Sequence, residues 1–349
     1  MKKQILKLSV LTNRGILDIG DVLPGDYVYN SFDSHPMLVE KVRLLPLGSI
    51  YRVNYSDKRI MLYHDSQSII YDTYYYKNNM VNINYTSPDL LMTRANISSH
   101  IGQHRIDLSN DSNNIFNLDV IDEYVIGPLL MYGDINDIYV NIPKIMFNNI
   151  DEEYIDSACK YIAGIRISND KVYFRKLYHA TKLCWSDLLN SAIYTDIKRE
   201  NHITDILSSY LYTNISTRNR LVKGIIRMGT YKIDEYSKNV IIYGGSNFSL
   251  TQILRNIMIS LGINAEYTFI RNNNLNLLSI KFGDFEEFNY YCKNGYYCYT
   301  PYRNYKYFTS IKSIIKVPFL QQYSYHLQLH GNNKFGCFLT SNLIPIISI

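Results

Sequence analysis

The chain lacks cysteine pairs at metal-ligand spacing and any apolar run of bilayer length, and it holds one tryptophan in 349 residues. Its five cysteines, Cys159, Cys184, Cys292, Cys298 and Cys337, are odd in number and form no Cys-x-x-Cys pair. That argues against a zinc-ribbon or a disulfide framework, so no metal or other cofactor is expected, and it implies reduced thiols inside a cell. No stretch approaches the roughly 18 apolar residues of a membrane span. Lys2 and Lys3 give a basic start, but Asn13, Arg14 and Asp18 interrupt any signal-peptide core. Charge of one sign is barely in excess. A net charge of +5 permits nucleic-acid contact without demanding it.

What is present is a globular composition, 46% hydrophobic and 19% charged, with 34 tyrosines. Isoleucine and asparagine are abundant and alanine is scarce, a bias of AT-rich coding sequences such as those of many viruses, phages and some bacteria. The length suffices for one large core or for two to three smaller ones. Tyrosine is large and rigid with a polar tip, and it suits interfaces.

Residues 1–108 read as short β-type runs, at 7–11, 15–19, 27–29, 38–45 and 50–55, separated by turn signals such as Pro24-Gly25-Asp26. The polar stretch 109–114 reads as a linker. Beyond it, helices are expected at 123–131, 152–163, 218–228 and 250–261, the last ending at Gly262. Strands are expected at 138–142, 171–177, 240–243 and 277–282. The order suggests a duplicated helix-strand-helix-strand unit. From about residue 300 strands return, at 308–317, 325–329 and 335–339, with Gly331-Asn332-Asn333 as a hairpin turn. A duplicated unit inserted into a β-fold made from both chain ends is the simplest reading.

Several segments carry a resemblance. Residues 8–15 and the stretch Ile19-Gly20-Asp21-Val22-Leu23-Pro24-Gly25-Asp26-Tyr27-Val28 resemble the opening of an intein (Hint) domain, and His104-Arg105-Ile106-Asp107-Leu108 is similar to a strand of helicase- and terminase-type inteins. The closing run Asn342-Leu343-Ile344-Pro345-Ile346-Ile347-Ser348-Ile349 is similar to the final intein motif. In that family a nucleophile, a Thr-x-x-His pair and a His-Asn pair carry out splicing. Here Lys3, Tyr63, Ser66, Ile347 and Ser348 stand at those positions, so the resemblance implies a fold without the chemistry. His64 reads either as a shifted survivor or as a structural histidine. Two residues precede Lys3 and one follows Ser348, which implies no flanking segments to be joined.

The middle resembles a two-motif LAGLIDADG homing endonuclease. The first copy is Val125-Ile126-Gly127-Pro128-Leu129-Leu130-Met131-Tyr132-Gly133. The second is Leu221-Val222-Lys223-Gly224-Ile225-Ile226-Arg227-Met228-Gly229-Thr230. In that family the two helices pack through small residues, and an acid at each helix end binds the metal that activates water. Tyr132 and Gly229 take the acidic positions, so loss of nuclease chemistry is implied. Asp134 and Asp234 are displaced alternatives. Two buried helices with glycines at close contacts, without that ancestry, would read the same way.

The fold expected is α+β: a Hint-type all-β domain formed by residues 1–112 and 296–349, with a duplicated LAGLIDADG-like domain at 113–295 inserted. The resemblance implies retained binding of double-stranded DNA on strand positions Tyr139, Asn141, Lys144, Lys171, Tyr173 and Arg175, and on Lys232, Lys238, Tyr243 and Lys281 in the second copy. An ordinary solvated strand face is the alternative for these, and a solvated helix start for Arg218, Arg220 and Lys223. Non-catalytic DNA binding or regulation is the leading expectation. A structural part of a virion or polymerase complex comes second, and a nuclease using displaced acids third.

Overall fold

Turn residues set the first strands. Leu23-Pro24-Gly25-Asp26 closes with Asp26 N–H donating to Leu23 O at 3.1 Å, and Gly25 has φ +98°. Proline second and a left-handed glycine third are the requirements of a type II turn. Arg14, in the preceding hairpin loop, grips the Asp26 carboxylate with two bonds of 2.8 and 2.6 Å. Burial alone would push that carboxyl up, but the bonds from Arg14 and from Leu23 N–H, with the guanidinium charge, hold it below the usual carboxylate range.

A computed structural model describes residues 4–30, 35–75, 80–92, 100–104, 122–135, 139–143, 154, 156–157, 162–167, 171–176, 196–228, 231–234, 239–244, 247–263, 265–271, 275–281, 306–330, 336–341 and 343–348. The chain forms two units, Met1–Asp111 with Asn304–Ile349, and Ser112–Arg303.

The first unit opens with β1 (Ser9–Thr12), β2 (Gly15–Asp18), β3 (Tyr27–Tyr29), β4 (Pro36–Leu44), β5 (Gly48–Tyr55), β6 (Ile60–His64), β7 (Ser68–Tyr75), β8 (Met80–Thr86), the short helix α1 (Pro88–Met92) and β9 (His100–His104). It is completed by β18 (Lys306–Gln322), β19 (Tyr325–Leu329), β20 (Gly336–Leu339) and β21 (Pro345–Ser348). One sheet runs β19-β4-β3-β1-β2. The other runs β20-β21-β7-β9-β18-β5-β6, with β8 on β7. Late strands pair with early ones throughout: Tyr325 with Leu44, Ile314 with Val53, Lys306 with His104, Ile346 with Ile69. The core mixes both ends of the chain, including Val10, Val28, Val39, Val53, Tyr63, Ile311, Leu327, Phe338 and Ile346.

The run Ile344 to Ile347 is apolar for a physical reason. β21 lies between β20 and β7 and is hydrogen-bonded on both edges. Ile346 enters the main core, and Ile347 packs with Ile70 in a second small cluster. A strand covered on both faces reads as a continuous apolar run.

The second unit holds α2 (Glu123–Tyr132), β10 (Asp134–Ile135), β11 (Tyr139–Pro143), β12 (Ile162–Ile167), β13 (Lys171–Lys176), α3 (Asp196–Ser209), α4 (Ile215–Met228), β14 (Tyr231–Asp234), β15 (Asn239–Tyr243), α5 (Phe248–Ser260), β16 (Ala265–Ile270) and β17 (Leu275–Lys281). Its sheets run β10-β11-β13-β12 and β14-β15-β17-β16, so the second repeats the strand order of the first. The second copy runs helix, hairpin, helix, hairpin, so the helix-strand-helix-strand order expected is met with a hairpin in place of each single strand. The expected helix 152–163 is corrected: Tyr154, Asp156 and Ser157 are helical, but Ile162 already begins β12. β-Branched isoleucines at 162, 165 and 167 favour the strand.

Caps fix the helix ends. Asp122 accepts from Tyr124 N–H at 2.9 Å to start α2, and Asn247 accepts from Leu250 N–H at 3.1 Å to start α5. At the far end of α5, Gly262 has φ +84°, with Ile263 N–H to Met258 O at 3.0 Å and Gly262 N–H to Ile259 O at 2.9 Å. That bond pair is a Schellman stop.

α2 and α4 meet at glycines. A Cβ on Gly127 would lie 2.9 Å from Leu221 O, and one on Gly224 would lie 2.2 Å from Tyr124 O. The same offset along the chain separates Gly127 from Gly224 and Tyr124 from Leu221, so each contact is the other's counterpart under a pseudo-two-fold relation. The approach is tighter at Gly224, and Pro128 explains it. Proline has no N–H to give the carbonyl four residues back, so Tyr124 C=O takes no bond from residue 128, and it lies against the bare Cα of Gly224. Ile225 stands at the matching place in α4.

Candidate nucleic-acid interface

Register sorts the first sheet of the second unit into two faces. Tyr139, Asn141 and Pro143 pair with Arg175, Tyr173 and Lys171. Arg166 pairs with Tyr173 from the other side, and Asp134 with Asn141. Successive strand residues alternate between faces, so these positions share one face. Val140, Ile142, Ile165, Ile167, Val172 and Phe174 share the other.

The second sheet follows the same rule. Val240, Ile242, Leu278, Ile280 and Ala265 are buried on the face that meets α5. The opposite face holds positions Lys232, Asp234, Asn239, Ile241, Tyr243, Lys281 and Glu266. Lys171 and Arg175 therefore share one face of the first sheet, and Lys232 and Lys281 one face of the second. Lys144 and Lys238 lie outside the described residues. Arg166, which is exposed, was missed because its segment adjoins the stretch read as helix. The alternation Ile165-Arg166-Ile167 was the signal available.

The basic residues near the start of α4 hold the unit together. Arg218 is fully buried and donates to Ser260 Oγ at 2.5 Å. Arg220 binds both carboxylate oxygens of Asp122, the α2 cap, at 2.6 and 2.5 Å. Arg220 and Lys223 also lie 5.5 and 5.6 Å from the Tyr124 ring centre, within cation–π range.

The positions matched to splicing and cleavage hold structural side chains. Tyr63 is buried, with its hydroxyl 3.0 Å from that of Tyr55. Its phenol is pushed up, chiefly by burial. Ser66 is exposed in the turn after β6, and its N–H donates to His64 Nδ1 at 3.1 Å. His64 is buried, with Nε2 3.1 Å from Pro46 O. With both ring nitrogens in contact with backbone groups of the turn and of Pro46, the imidazole staples the turn. Ile347 is core, and Ser348 pairs with Gly336 at the edge of β21. Lys3 and Gly229 lie outside the described residues.

Tyr132 closes α2. It is 7% exposed, and its hydroxyl has no hydrogen-bond partner among the described residues. Burial drives its phenol well above the ordinary tyrosine value. A buried hydroxyl without a partner carries a desolvation cost and no return. Tyr132→Phe is therefore expected to stabilise the protein by about 1 kcal/mol, read as a higher thermal midpoint. A lower midpoint would mean that the hydroxyl has a partner. Asp134 and Asp234 stand in β10 and β14, opposite Asn141 and Asn239. Among the described residues no three His, Cys, Asp or Glu side chains cluster as a metal site would need. Nor is any described helix long and apolar enough to cross a membrane.

No protein-family model matches the chain, and no curated protein matches it. Among solved structures it is similar to the LAGLIDADG homing endonuclease I-DmoI, in a complex with its target DNA in the presence of manganese. The identity is 13% and the TM-score 0.31, over 51% of this chain and 94% of that one. A likeness this distant assigns no residue here.

Proposed function

We propose that the chain is a catalytically silent DNA-binding protein, in which a degenerate intein-like β unit carries a duplicated, homing-endonuclease-like unit. The observation that carries this reading is the register of the first sheet. It gathers Lys171, Arg175, Arg166, Tyr139, Asn141 and Tyr173 on one face and apolar positions on the other. Cationic and amide side chains on a sheet can engage phosphates, and tyrosine and asparagine can engage base edges or sugars. The counterpart contacts of Gly127 and Gly224 support the duplicated unit. Tyrosine at 132, glycine at 229 and isoleucine at 347 support silence, because none of them can hold a metal or move a proton as the implied acids and histidine would.

The test is equilibrium binding to a duplex of about 20 base pairs between about 50 and 200 mM salt. The triple variant Arg166→Ala/Lys171→Ala/Arg175→Ala is expected to lower the log–log salt slope by about three, roughly one per lost phosphate contact. The unaltered protein is expected to leave supercoiled plasmid uncut in magnesium or manganese. Binding without salt dependence, or cutting abolished by Asp134→Asn/Asp234→Asn, would overturn the reading.

A second reading, a protein scaffold, is favoured by one feature. In β18 the register slips between Lys316 and Gln321, and Phe319 stands fully exposed there at φ +58°. Ile315, Ile60 and Leu62 are exposed on strands of the same sheet. Association that survives nuclease treatment and high salt, and that Phe319→Asn weakens, would favour the scaffold.

A further inference from the structure

We infer that DNA contact is one-sided, made by the first repeat's sheet while the matching face of the second repeat contributes little. This rests on the DNA-binding reading above. The two sheets share their strand order, so their outer faces are counterparts as faces, and the charges each carries can be compared.

On the first face, among the described strands, the cationic positions are Lys171, Arg175 and Arg166, and the acidic one is Asp134. Asp134 lies in β10 and Arg166 in β12, at opposite edges of the sheet. Three strand spacings put them about 14 Å apart, beyond the Debye length of about 8 Å at physiological salt. Lys171 and Arg175 lie on β13, two strands from Asp134. The acid neutralises none of the three at close range.

On the second face two cationic positions, Lys232 and Lys281, meet two acidic ones, Asp234 and Glu266. Lys232 and Asp234 are two residues apart on β14. Glu266 pairs with Ser279, which places it diagonal to Lys281, at about 7–8 Å. Each lysine position therefore has an acidic one within about a Debye length, and the charges of the described positions on this face cancel. It also bears Ile241, Leu277 and Ile270 beside Asn239 and Tyr243, where the first face has Tyr139, Tyr173 and Asn141. Counterion release scales with the phosphates neutralised, and a face whose cationic positions are matched by acidic ones attracts few. One sheet with strands of five to six residues spans about 17 Å along the duplex, roughly half a helical turn.

The experiment compares Lys171→Ala/Arg175→Ala with Lys232→Ala/Lys281→Ala in the same salt titration, with circular dichroism as a folding check. The first pair is expected to lower the slope by about two, and the second to change it by less than about 0.5. In parallel, the unaltered protein is titrated with duplexes of increasing length. Affinity per site should plateau near half a turn, which needs no variant to fold. Equal losses from the two pairs, or a plateau only beyond a full turn, would overturn one-sidedness and leave DNA binding standing. No slope change from either folded pair would overturn both.

Discussion

Gly224→Val is expected to destabilise the second unit by about 3 kcal/mol or more, the largest effect of any single change at the helix pair. The added carbon would sit 2.2 Å from Tyr124 O, 2.8 Å from its carbonyl carbon and 2.9 Å from its Cα. All three are backbone atoms, so no side chain can swing aside. The helices must separate by about 1 Å to restore an ordinary contact, and the packing of Leu221, Ile225 and Tyr124 is lost with it. Gly224→Ala gains about 1 kcal/mol of helix propensity and still loses overall. Gly127→Ala meets Leu221 O at 2.9 Å and Ile225 Cγ1 at 3.0 Å, so it should cost less. Amide exchange in α2 and α4 together with thermal melting gives the order Gly224 above Gly127. A Gly224→Ala protein as stable as the unaltered one would refute the close crossing.

Asp57→Ala is expected to cost the first unit about 3–5 kcal/mol. Asp57 and Arg59 are each 3% exposed at the side chain, joined by Arg59 Nε to Oδ2 at 2.8 Å and Arg59 N–H to Oδ1 at 2.9 Å. They sit in the loop between β5 and β6, where Lys58 takes φ +65°. Arg59 Nη1 reaches Leu343 O at 3.4 Å and so ties the loop to the far end of the chain. Removing the carboxylate leaves a guanidinium buried without its charge partner, and that penalty exceeds the worth of the bridge itself. The double variant Asp57→Leu/Arg59→Met should recover most of the loss. Urea midpoints of the two variants decide it. A double variant no better than the single would mean that the pair contributes directly to stability.

Much of the architecture was legible because its signals are local. Pro24-Gly25, Asn247 and Gly262 mark turns and caps whose geometry depends on few neighbours. The strands at 27–29 and 325–329 were bounded to the residue, and the helices at 123–131 and 250–261 to within two. What escaped was non-local. β12 and β16 are edge strands of their sheets, and their assignment depends on pairing with β13 and β17. The helix α3, with its mixed polar surface, gave no clean apolar period. The polar face of the first sheet could be named residue by residue from the resemblance, but not assembled. Whether Lys171 and Arg175 share a face with Tyr139 and Asn141 is a matter of register, which depends on a partner strand thirty residues away. The same holds for Asp234 and Glu266, whose proximity to lysines changes the meaning of those lysines.

The pairing of His104 with Lys306 has a consequence for how the first unit folds. Its second sheet closes across an excursion of roughly 200 residues, and the entropy of closing a loop rises as (3/2)RT ln n. Relative to a turn of about four residues, an uncollapsed excursion costs the sheet roughly 3.5 kcal/mol, a sizeable share of a domain's net stability. Collapse of the intervening chain shortens the effective loop and returns part of that sum. Compaction of the inserted chain therefore favours the β9–β18 ladder, and the two units are thermodynamically linked through chain connectivity.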